Sequence, residues 1–212
     1  MIRLATFFTL LAIIGCDEQS PQIALVDVTH RTGPIFVTTS GSTPPRSIVE
    51  VNGPGVCLFD ADGDGDIDLF IANGATVDDP ENGPGSRLFR NTLRETGTLT
   101  FVDMTEDAGI ELRRWATSAT AVDLTGDDEV DLYVTCIGPD VLLRNDGHGH
   151  FTDITAAASI DVPGWSTCAA PGDIDCDGDL DLYIARYIDW DFSSPPPPTV
   201  TFRGEHDIAA PA

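Results

Sequence analysis

An acidic segment of nine residues recurs in the chain and constrains its fold more than any other feature. Residues 60–68 (the first loop) and 173–181 (the third loop) both follow the pattern DxDxDGDxD, and residues 123–131 (the middle loop) are a degraded copy. Flanking segments repeat in the same register, since residues 114–117 are similar to residues 164–167. Self-similarity at a period of about 50 residues is the signature of a protein built from structural repeats.

Within each repeat, apolar residues alternate with polar ones, which predicts short β-strands. Residues 66–71 and 179–184 show this alternation, and residues 142–151 have the pattern of a strand, a Gly-rich turn and a second strand, which predicts a hairpin. Several short strands in each unit of about 50 residues are typical of a β-propeller blade. Trp115 and Trp165 occupy equivalent positions, and we expect both to pack between strands rather than to stack on sugars.

The repeats divide the chain into successive segments. We expect propeller blades over residues 22–192, followed by a Pro-rich segment and the start of an incomplete next blade over residues 193–212. Within that last segment, residues 204–207 resemble the lead-in to a further hairpin. The interval between the first and middle loops is longer than the next one, and its extra length is assigned to a loop insertion at residues 73–97.

The acidic segments have the spacing of calcium loops. Carboxylates at positions 1, 3 and 5 point their oxygens at one centre, and Gly at position 6 permits the turn that brings the position-7 carbonyl and position-9 carboxylate to the same centre. Hard oxygen ligands favour Ca²⁺ over Mg²⁺ and transition metals. The alternative is a solvated acidic turn, in which the carboxylates repel one another. The candidate ligands of the two intact loops are Asp60, Asp62, Asp64, Asp66 and Asp68, and Asp173, Asp175, Asp177, Asp179 and Asp181.

The middle loop departs from this pattern at two positions. Position 3 is the neutral Thr125, and position 6 is Asp128 in place of Gly. Asp tolerates the left-handed backbone conformation better than most residues, so we expect the loop backbone to form. The loss of one charged ligand should weaken calcium binding. The candidate ligands of this loop are Asp123, Thr125, Asp127, Glu129 and Asp131.

These loops differ from EF-hands, which require a bidentate Glu at position 12 between two helices. Position 12 is Ile71, Val134 or Ile184 here, and each lies in a run with the pattern of a strand. We therefore predict that each loop leads into a β-strand.

The composition agrees with acidic loops of this kind. The chain of 212 residues has a net charge of −24, from 27 Asp and 8 Glu against 11 Arg and no Lys. A chain this acidic is repelled by phosphate backbones, which excludes nucleic acid as an expected partner. The three loops hold 15 of the 35 acidic residues, so much of the negative charge belongs to the expected metal sites.

The N-terminal residues have the pattern of an export signal. One basic residue precedes an apolar run over residues 4–14, which is too short to span a bilayer as a helix. We expect a lipoprotein-type signal peptide at residues 1–15 and a lipidated tether at residues 16–21, because residues 13–16 resemble a lipobox that ends at Cys16. Lipidation would anchor the exported chain in a membrane, on the periplasmic or cell-surface side. The alternative is ordinary signal cleavage with an incidental cysteine.

The other cysteines and the histidines form no recognisable site. Cys57, Cys136, Cys168 and Cys176 are candidates either for disulfides in an exported chain or for small buried side chains in strands. The histidines are scattered, and those in the turn at residues 148–150 are expected to be exposed to solvent. No catalytic constellation is recognisable, so we expect that the protein is not an enzyme.

Taken together, the motifs resemble the FG-GAP or VCBS repeat, a calcium-loop blade that also occurs in integrin α-subunits. Residues 101–110 match an F-x-D-V-T-x-x-A-G-I step, and residues 142–151 match an L-Y-R-N-x-G-D-G-x-F hairpin. A weaker first copy of that hairpin lies at residues 88–91. The combination of these two motifs is most similar to the cartilage-acidic-protein group, many of whose members end in an ASPIC/UnbV domain. The resemblance implies an all-β fold, a propeller of commonly seven blades with calcium loops between adjacent strands.

The chain is shorter than a closed propeller of this family requires. The 196 residues after Cys16 suffice for about three blades and a fragment. We therefore expect a partial β-propeller of about three blades, and we favour a truncated chain over a ring that partner chains complete. An open arc exposes unpaired strand edges.

These features predict an exported calcium-binding repeat protein that acts as a cell-surface binding or adhesion module for an unidentified protein or glycan. Bound calcium would neutralise the loops and link the stability of the fold to the cation concentration. The alternative is a propeller domain of an extracellular carbohydrate-active enzyme, such as a polysaccharide lyase, because related repeats occur in such proteins.

Overall fold

The computed structural model describes most of the chain after the N-terminal segment. The described residues are 26–33, 36–160, 163–195, 199–202 and 205–209. The predicted signal peptide, the tether and Cys16 lie outside them.

The chain divides into two compact units, residues 1–30 and residues 31–212. A one-turn helix, α1 (Thr29–Thr32), begins in the described part of the first unit. The strands and loops that follow belong to the second unit. In the described part of the chain, no helix combines the length and hydropathy needed to span a bilayer.

The first repeat of the second unit forms a four-stranded antiparallel sheet, with the strands neighbouring one another in chain order. The first loop connects its first two strands, and position 9 of the loop is the first residue of the second strand. The loop therefore leads directly into a strand, as predicted. The strands are β1 (Val56–Phe59), β2 (Asp68–Ile71), β3 (Arg87–Asn91) and β4 (Phe101–Asp103).

The next repeat forms a second sheet with the same order and the same antiparallel pairing. The middle loop again connects its first two strands. The hairpin predicted at residues 142–151 is confirmed as the last two strands. The strands are β5 (Ala116–Val122), β6 (Asp131–Cys136), β7 (Val141–Asn145) and β8 (Phe151–Asp153).

The third repeat is described as two separate strand pairs. The third loop joins β9 (Ser166–Gly172) to β10 (Asp181–Arg186). Farther along, β11 (Thr199–Phe202) pairs with β12 (Glu205–Ala209). The sequence predicts a lead-in to a hairpin at residues 204–207. The described part of that segment instead belongs to β12, which pairs with β11 at Val200 and Ile208.

The first strands of the three sheets lie side by side, with β1 against β5 and β5 against β9. Apolar side chains on alternate positions fill the space between the first two sheets, and the rings of Phe59 and Phe151 meet edge to face at 6.3 Å. The molecule is therefore all-β, as predicted, and its arrangement of sheets is consistent with a partial propeller. The main side chains of this core are Phe59, Phe70, Leu88, Leu132, Val134, Leu143 and Phe151.

Trp115 and Trp165 precede β5 and β9 and are each only 2% exposed. They belong to one apolar cluster that also contains Trp190 and the half-buried Phe192. Trp115 stacks on Phe192 with ring centroids 5.8 Å apart, and Trp165 meets Trp190 edge to face at 6.0 Å. The predicted packing role of both residues is confirmed.

The insertion predicted at residues 73–97 is only partly a loop. It contains β3 and a one-turn helix, α2 (Leu93–Thr96), because residues 88–91 are a true copy of the hairpin strand and pair with both of its neighbours. The extra length is divided between residues 72–86, before β3, and residues 92–100, after it. Two other short helices were also not predicted, α3 (Thr155–Ala158) and a 3-10 helix (Ile48–Val51).

All four described cysteines are free thiols. Cys136 is buried on β6 and Cys57 is half-buried on β1, which agrees with small side chains in strands. Cys168 lies exposed on β9, and Cys176 lies exposed in the third loop. No disulfide therefore links the described repeats.

Candidate metal centres

The three loops share one scheme of hydrogen bonds between their own carboxylates and backbone. In chain order, the position-1 carboxylate accepts a hydrogen bond from the position-6 N–H at 2.9, 2.9 and 3.2 Å. The position-5 carboxylate accepts one from the position-7 N–H at 2.8, 3.2 and 3.0 Å. The position-9 carboxylate accepts one from the position-2 N–H at 2.9, 3.0 and 2.9 Å. The acidic pattern therefore supplies the same three local contacts in each loop.

Two positions in each loop adopt the left-handed backbone conformation. At position 6, φ is +84° in the first loop, +69° at Asp128 in the middle loop and +100° in the third. The prediction that Asp128 sustains this turn is confirmed. Position 4 is left-handed as well, and in the third loop it is Cys176, with φ of +63°. L-residues pay about 1–2 kcal/mol for this conformation, so two of the loops carry local strain that glycine avoids.

Carboxylates at positions 1, 3 and 9 converge in both intact loops. Oxygens of Asp60, Asp62 and Asp68 lie within 4.8 Å of one another, and we name this group the first-loop cluster. The equivalent third-loop cluster consists of Asp173, Asp175 and Asp181. Three carboxylates at this separation can hold one cation, and without one they repel.

The middle loop has no such cluster among the described residues. Its positions 1 and 9 are Asp123 and Asp131, with the same backbone contacts as in the other loops. Thr125 stands where the third carboxylate would be. The single substitution at position 3 therefore accounts for the missing cluster.

Positions 5 and 7 of the first loop lie in a different group from positions 1, 3 and 9. Oxygens of Asp64 and Asp66 converge with that of Glu95, which belongs to α2. The repeat pattern does not reveal Glu95, because this residue lies outside the loop and no helix equivalent to α2 is described in the second sheet. In the third loop, positions 5 and 7 are exposed and outside the cluster.

Arginines surround the first loop. Arg90 of β3 places its Nε 2.7 Å from Asp62 and its Nη2 3.2 Å from Asp64, and it also pairs with Glu95. The backbone N–H of Arg94 donates to Asp66 at 2.6 Å. Burial acts to raise the pKa of Asp64, but hydrogen bonds from the Asp66 N–H and from Arg90 outweigh it and lower the pKa. The guanidinium thus stabilises the ionised form of this carboxyl.

The surroundings of position 9 differ among the loops. Asp68 and Asp131 are fully buried, and each accepts a second backbone hydrogen bond from the Asn of its own hairpin strand, at 2.8 Å from Asn91 and 3.0 Å from Asn145. Burial raises the pKa of Asp68 to about 6 despite these bonds. Asp181 is exposed.

The hairpin of the second sheet covers the first loop. The Asn145 side-chain amide donates to the Ala61 carbonyl at 2.9 Å. In the same turn, a Cβ at Gly149 would lie 3.0 Å from Cβ of Asp62. Asn145 and Gly149 of this hairpin therefore contact the loop of the preceding repeat. His148 and His150 of the turn are exposed, as predicted.

The fold and its loops define an all-β repeat protein whose propeller-type blades carry an acidic loop between the first and second strands. A family model described as an FG-GAP-like repeat matches residues 60–134 and residues 130–184. These matches cover more than half of the chain, so the chain belongs to the FG-GAP-like repeat family. A search of curated proteins found no match.

Proposed function

We propose that the protein is a calcium-binding repeat module whose first and third loops each hold one Ca²⁺. The observation that carries this proposal is the convergence of three carboxylates at loop positions 1, 3 and 9, which recurs at two places in the chain. Recurrence in register argues against an incidental arrangement of acidic side chains. By the same reasoning, the middle loop is a weaker calcium site, because it lacks the carboxylate at position 3.

The donor set favours calcium. Every candidate ligand side chain in the three loops offers oxygen, and neither sulfur nor imidazole nitrogen of the described residues joins the clusters. Oxygen ligands on a flexible loop suit Ca²⁺, whereas Mg²⁺ demands stricter octahedral geometry and zinc favours nitrogen and sulfur. The bound ion would supply positive charge and rigidity, so its role is structural.

Thermal unfolding in excess calcium and in excess EDTA tests this proposal. At a concentration about 100-fold above Kd, each site adds about 2.7 kcal/mol. That corresponds to a rise in Tm of roughly 5–10 °C for a domain of this size. The double variant Asp60→Asn, Asp173→Asn should lose most of the shift. An unchanged Tm in EDTA would refute the proposal.

We further propose that this module is exported, anchored through Cys16 and used for binding or adhesion at the cell surface. The support is the lipobox-like segment and the two family motifs at residues 101–110 and 142–151. Labelling of the intact cell with a radioactive fatty acid tests the anchor, with Cys16→Ser as its control. Absence of label on the wild-type chain would contradict it.

A binding role is favoured over catalysis because loop folding and cation binding already account for the clustered carboxylates. A glycan array in calcium and in EDTA tests the binding role, and an activity screen on acidic polysaccharides tests the alternative. Calcium-dependent retention without turnover is the expected result. Reproducible turnover would remove the proposed role.

A further inference from the structure

We propose that Arg90 and Arg144 are internal counter-cations that compete with calcium for the loop carboxylates and thereby lower its affinity. This inference rests on the proposed calcium function and adds to it the residues that set the affinity. Neither arginine belongs to a loop. Both are contributed by the third strand of their sheet.

The contacts of Arg90 place a positive charge on the first-loop cluster itself. Its Nε lies 2.7 Å from Oδ2 of Asp62, and its Nη2 lies 3.2 Å from Oδ2 of Asp64. The planar guanidinium thus bridges positions 3 and 5 of one loop, which the point charge of an ammonium group cannot do with fixed geometry. A cation held by the first-loop cluster, which includes Asp62, meets this charge at close range.

The contact with Asp62 is close but poorly directed. Arg90 Nε is buried and has no aligned hydrogen bond, although the Asp62 oxygen is only 2.7 Å away. The attraction is therefore chiefly electrostatic. A divalent ion at the cluster carries twice the positive charge of Arg90 and does not depend on hydrogen-bond alignment. Calcium can replace the role of this group.

Arg144 repeats the arrangement in the next sheet. Its Nε and Nη2 lie 3.1 and 2.9 Å from Oδ2 of Asp127, which is position 5 of the middle loop. Two repeats with different loop sequences thus direct the same hairpin arginine to the same loop position, so the contact is a property of the repeat.

The third loop provides the comparison within the same chain. Among the described residues, Arg90 forms ion pairs with Asp62, Asp64 and Glu95, and with no carboxylate at positions 173–181. The third-loop cluster is also exposed. The proposal therefore predicts that removal of Arg90 strengthens calcium binding at the first loop and leaves the third loop unchanged.

Thermodynamic linkage makes the competition measurable in two ways. If calcium weakens the Arg90 contacts, then Arg90 weakens calcium binding by the same factor. Removal of Arg90 should therefore lower the stability of the calcium-free protein, because the carboxylates lose their counter-charge. The same removal should tighten calcium binding, so that excess calcium restores most of the lost stability.

The experiment is a calorimetric calcium titration of Arg90→Gln in a background carrying Asp123→Asn and Asp173→Asn, so that the heat reports the first loop. We expect binding about tenfold tighter than in the background protein. The matched control is Arg87→Gln, which removes the same charge from the same strand but from a side chain that faces Asp103 at 3.5 Å. Its calcium affinity should stay close to that of the background. Thermal unfolding of each variant in EDTA supplies the second readout, with a lower Tm expected only for Arg90→Gln.

Equal or weaker calcium binding by Arg90→Gln would overturn the competition and leave the calcium function standing. An equal gain in Arg87→Gln would also overturn it, since the effect would then come from net charge. If calcium gives heat in the wild type but none in the background protein, the first loop binds no calcium. That result would refute this inference and leave the proposed function standing. Absence of heat in the wild type would refute the proposed function as well.

Discussion

The first and third loops have the same DxDxDGDxD sequence pattern and share three local hydrogen bonds, yet one is covered and the other is exposed. In the first loop, Asp68 is fully buried and the hairpin of the next sheet covers the loop through Asn145. In the third loop, Asp181 and its neighbours are exposed. The nine residues thus share one loop backbone, whereas β3 of the same sheet supplies the counter-charge of the first loop and the adjoining sheet covers that loop.

The largest expected difference between the two loops concerns position 9. Asp68→Ala leaves the buried N–H groups of Ala61 and Asn91 without an acceptor, at a cost of about 1–3 kcal/mol each, partly offset by relief of carboxylate repulsion. We expect a net loss of about 2–4 kcal/mol in urea unfolding in EDTA. The matched variant Asp181→Ala should lose less than about 1 kcal/mol, because water replaces the acceptor. Equal losses would show that burial does not distinguish the loops.

The pH dependence of stability provides a second test of the buried loop. The pKa of Asp68 is raised to about 6, above its ordinary value, so the folded state binds this proton more tightly than the unfolded state. Its contribution to stability is therefore present below about pH 4 and is lost as the pH rises through about 6. In EDTA, the stability of the wild type should fall across this range relative to Asp68→Asn, which does not titrate. Parallel pH profiles of the two proteins would contradict the assignment.

The middle loop allows the cluster to be rebuilt. Thr125→Asp returns a carboxylate to position 3 beside Asp123 and Asp131 and should tighten calcium binding at this loop by about tenfold. The control is Thr125→Asn, which restores an oxygen without the charge. A calcium titration in a background with Asp60→Asn and Asp173→Asn reads this loop alone. An unchanged affinity in Thr125→Asp would mean that position 3 is not what weakens the site.

The smallest expected effect concerns the strained backbone at position 6. Asp128→Gly should stabilise the protein by about 1 kcal/mol, because glycine adopts the observed φ of +69° without strain. The rise in Tm should be about 2–4 °C. The opposite change in the first loop, Gly65→Ala, should destabilise, since φ is +84° there and a Cβ would lie 2.5 Å from Arg94. A loss of stability in Asp128→Gly would disprove the strain.

The repeats and loops could be predicted from sequence because their signals are local. The left-handed turn at Asp128, the hairpin at residues 142–151 and the strand after each loop all follow from patterns within a few residues. Arg90 and Glu95 could not be assigned to the first loop, since they lie 22 or more residues beyond its end and reach it only through β3 and the helix that follows β3. The alternation of apolar residues also does not indicate which loop becomes buried. The bounds of the insertion at residues 73–97 were wrong for a related reason. Strand β3 lies within a segment rich in turn residues, which favours a continuous loop.

The stoichiometry of calcium binding tests the central claim most directly. Calorimetric titration of chelator-treated wild-type protein should show two stronger sites, one for each cluster of three carboxylates, with the middle loop weaker. Asp60→Asn and Asp173→Asn should each remove one of the two, and Mg²⁺ should not compete at comparable concentration. If the wild type gives no heat, or if both variants retain both sites, the carboxylate clusters are not calcium sites.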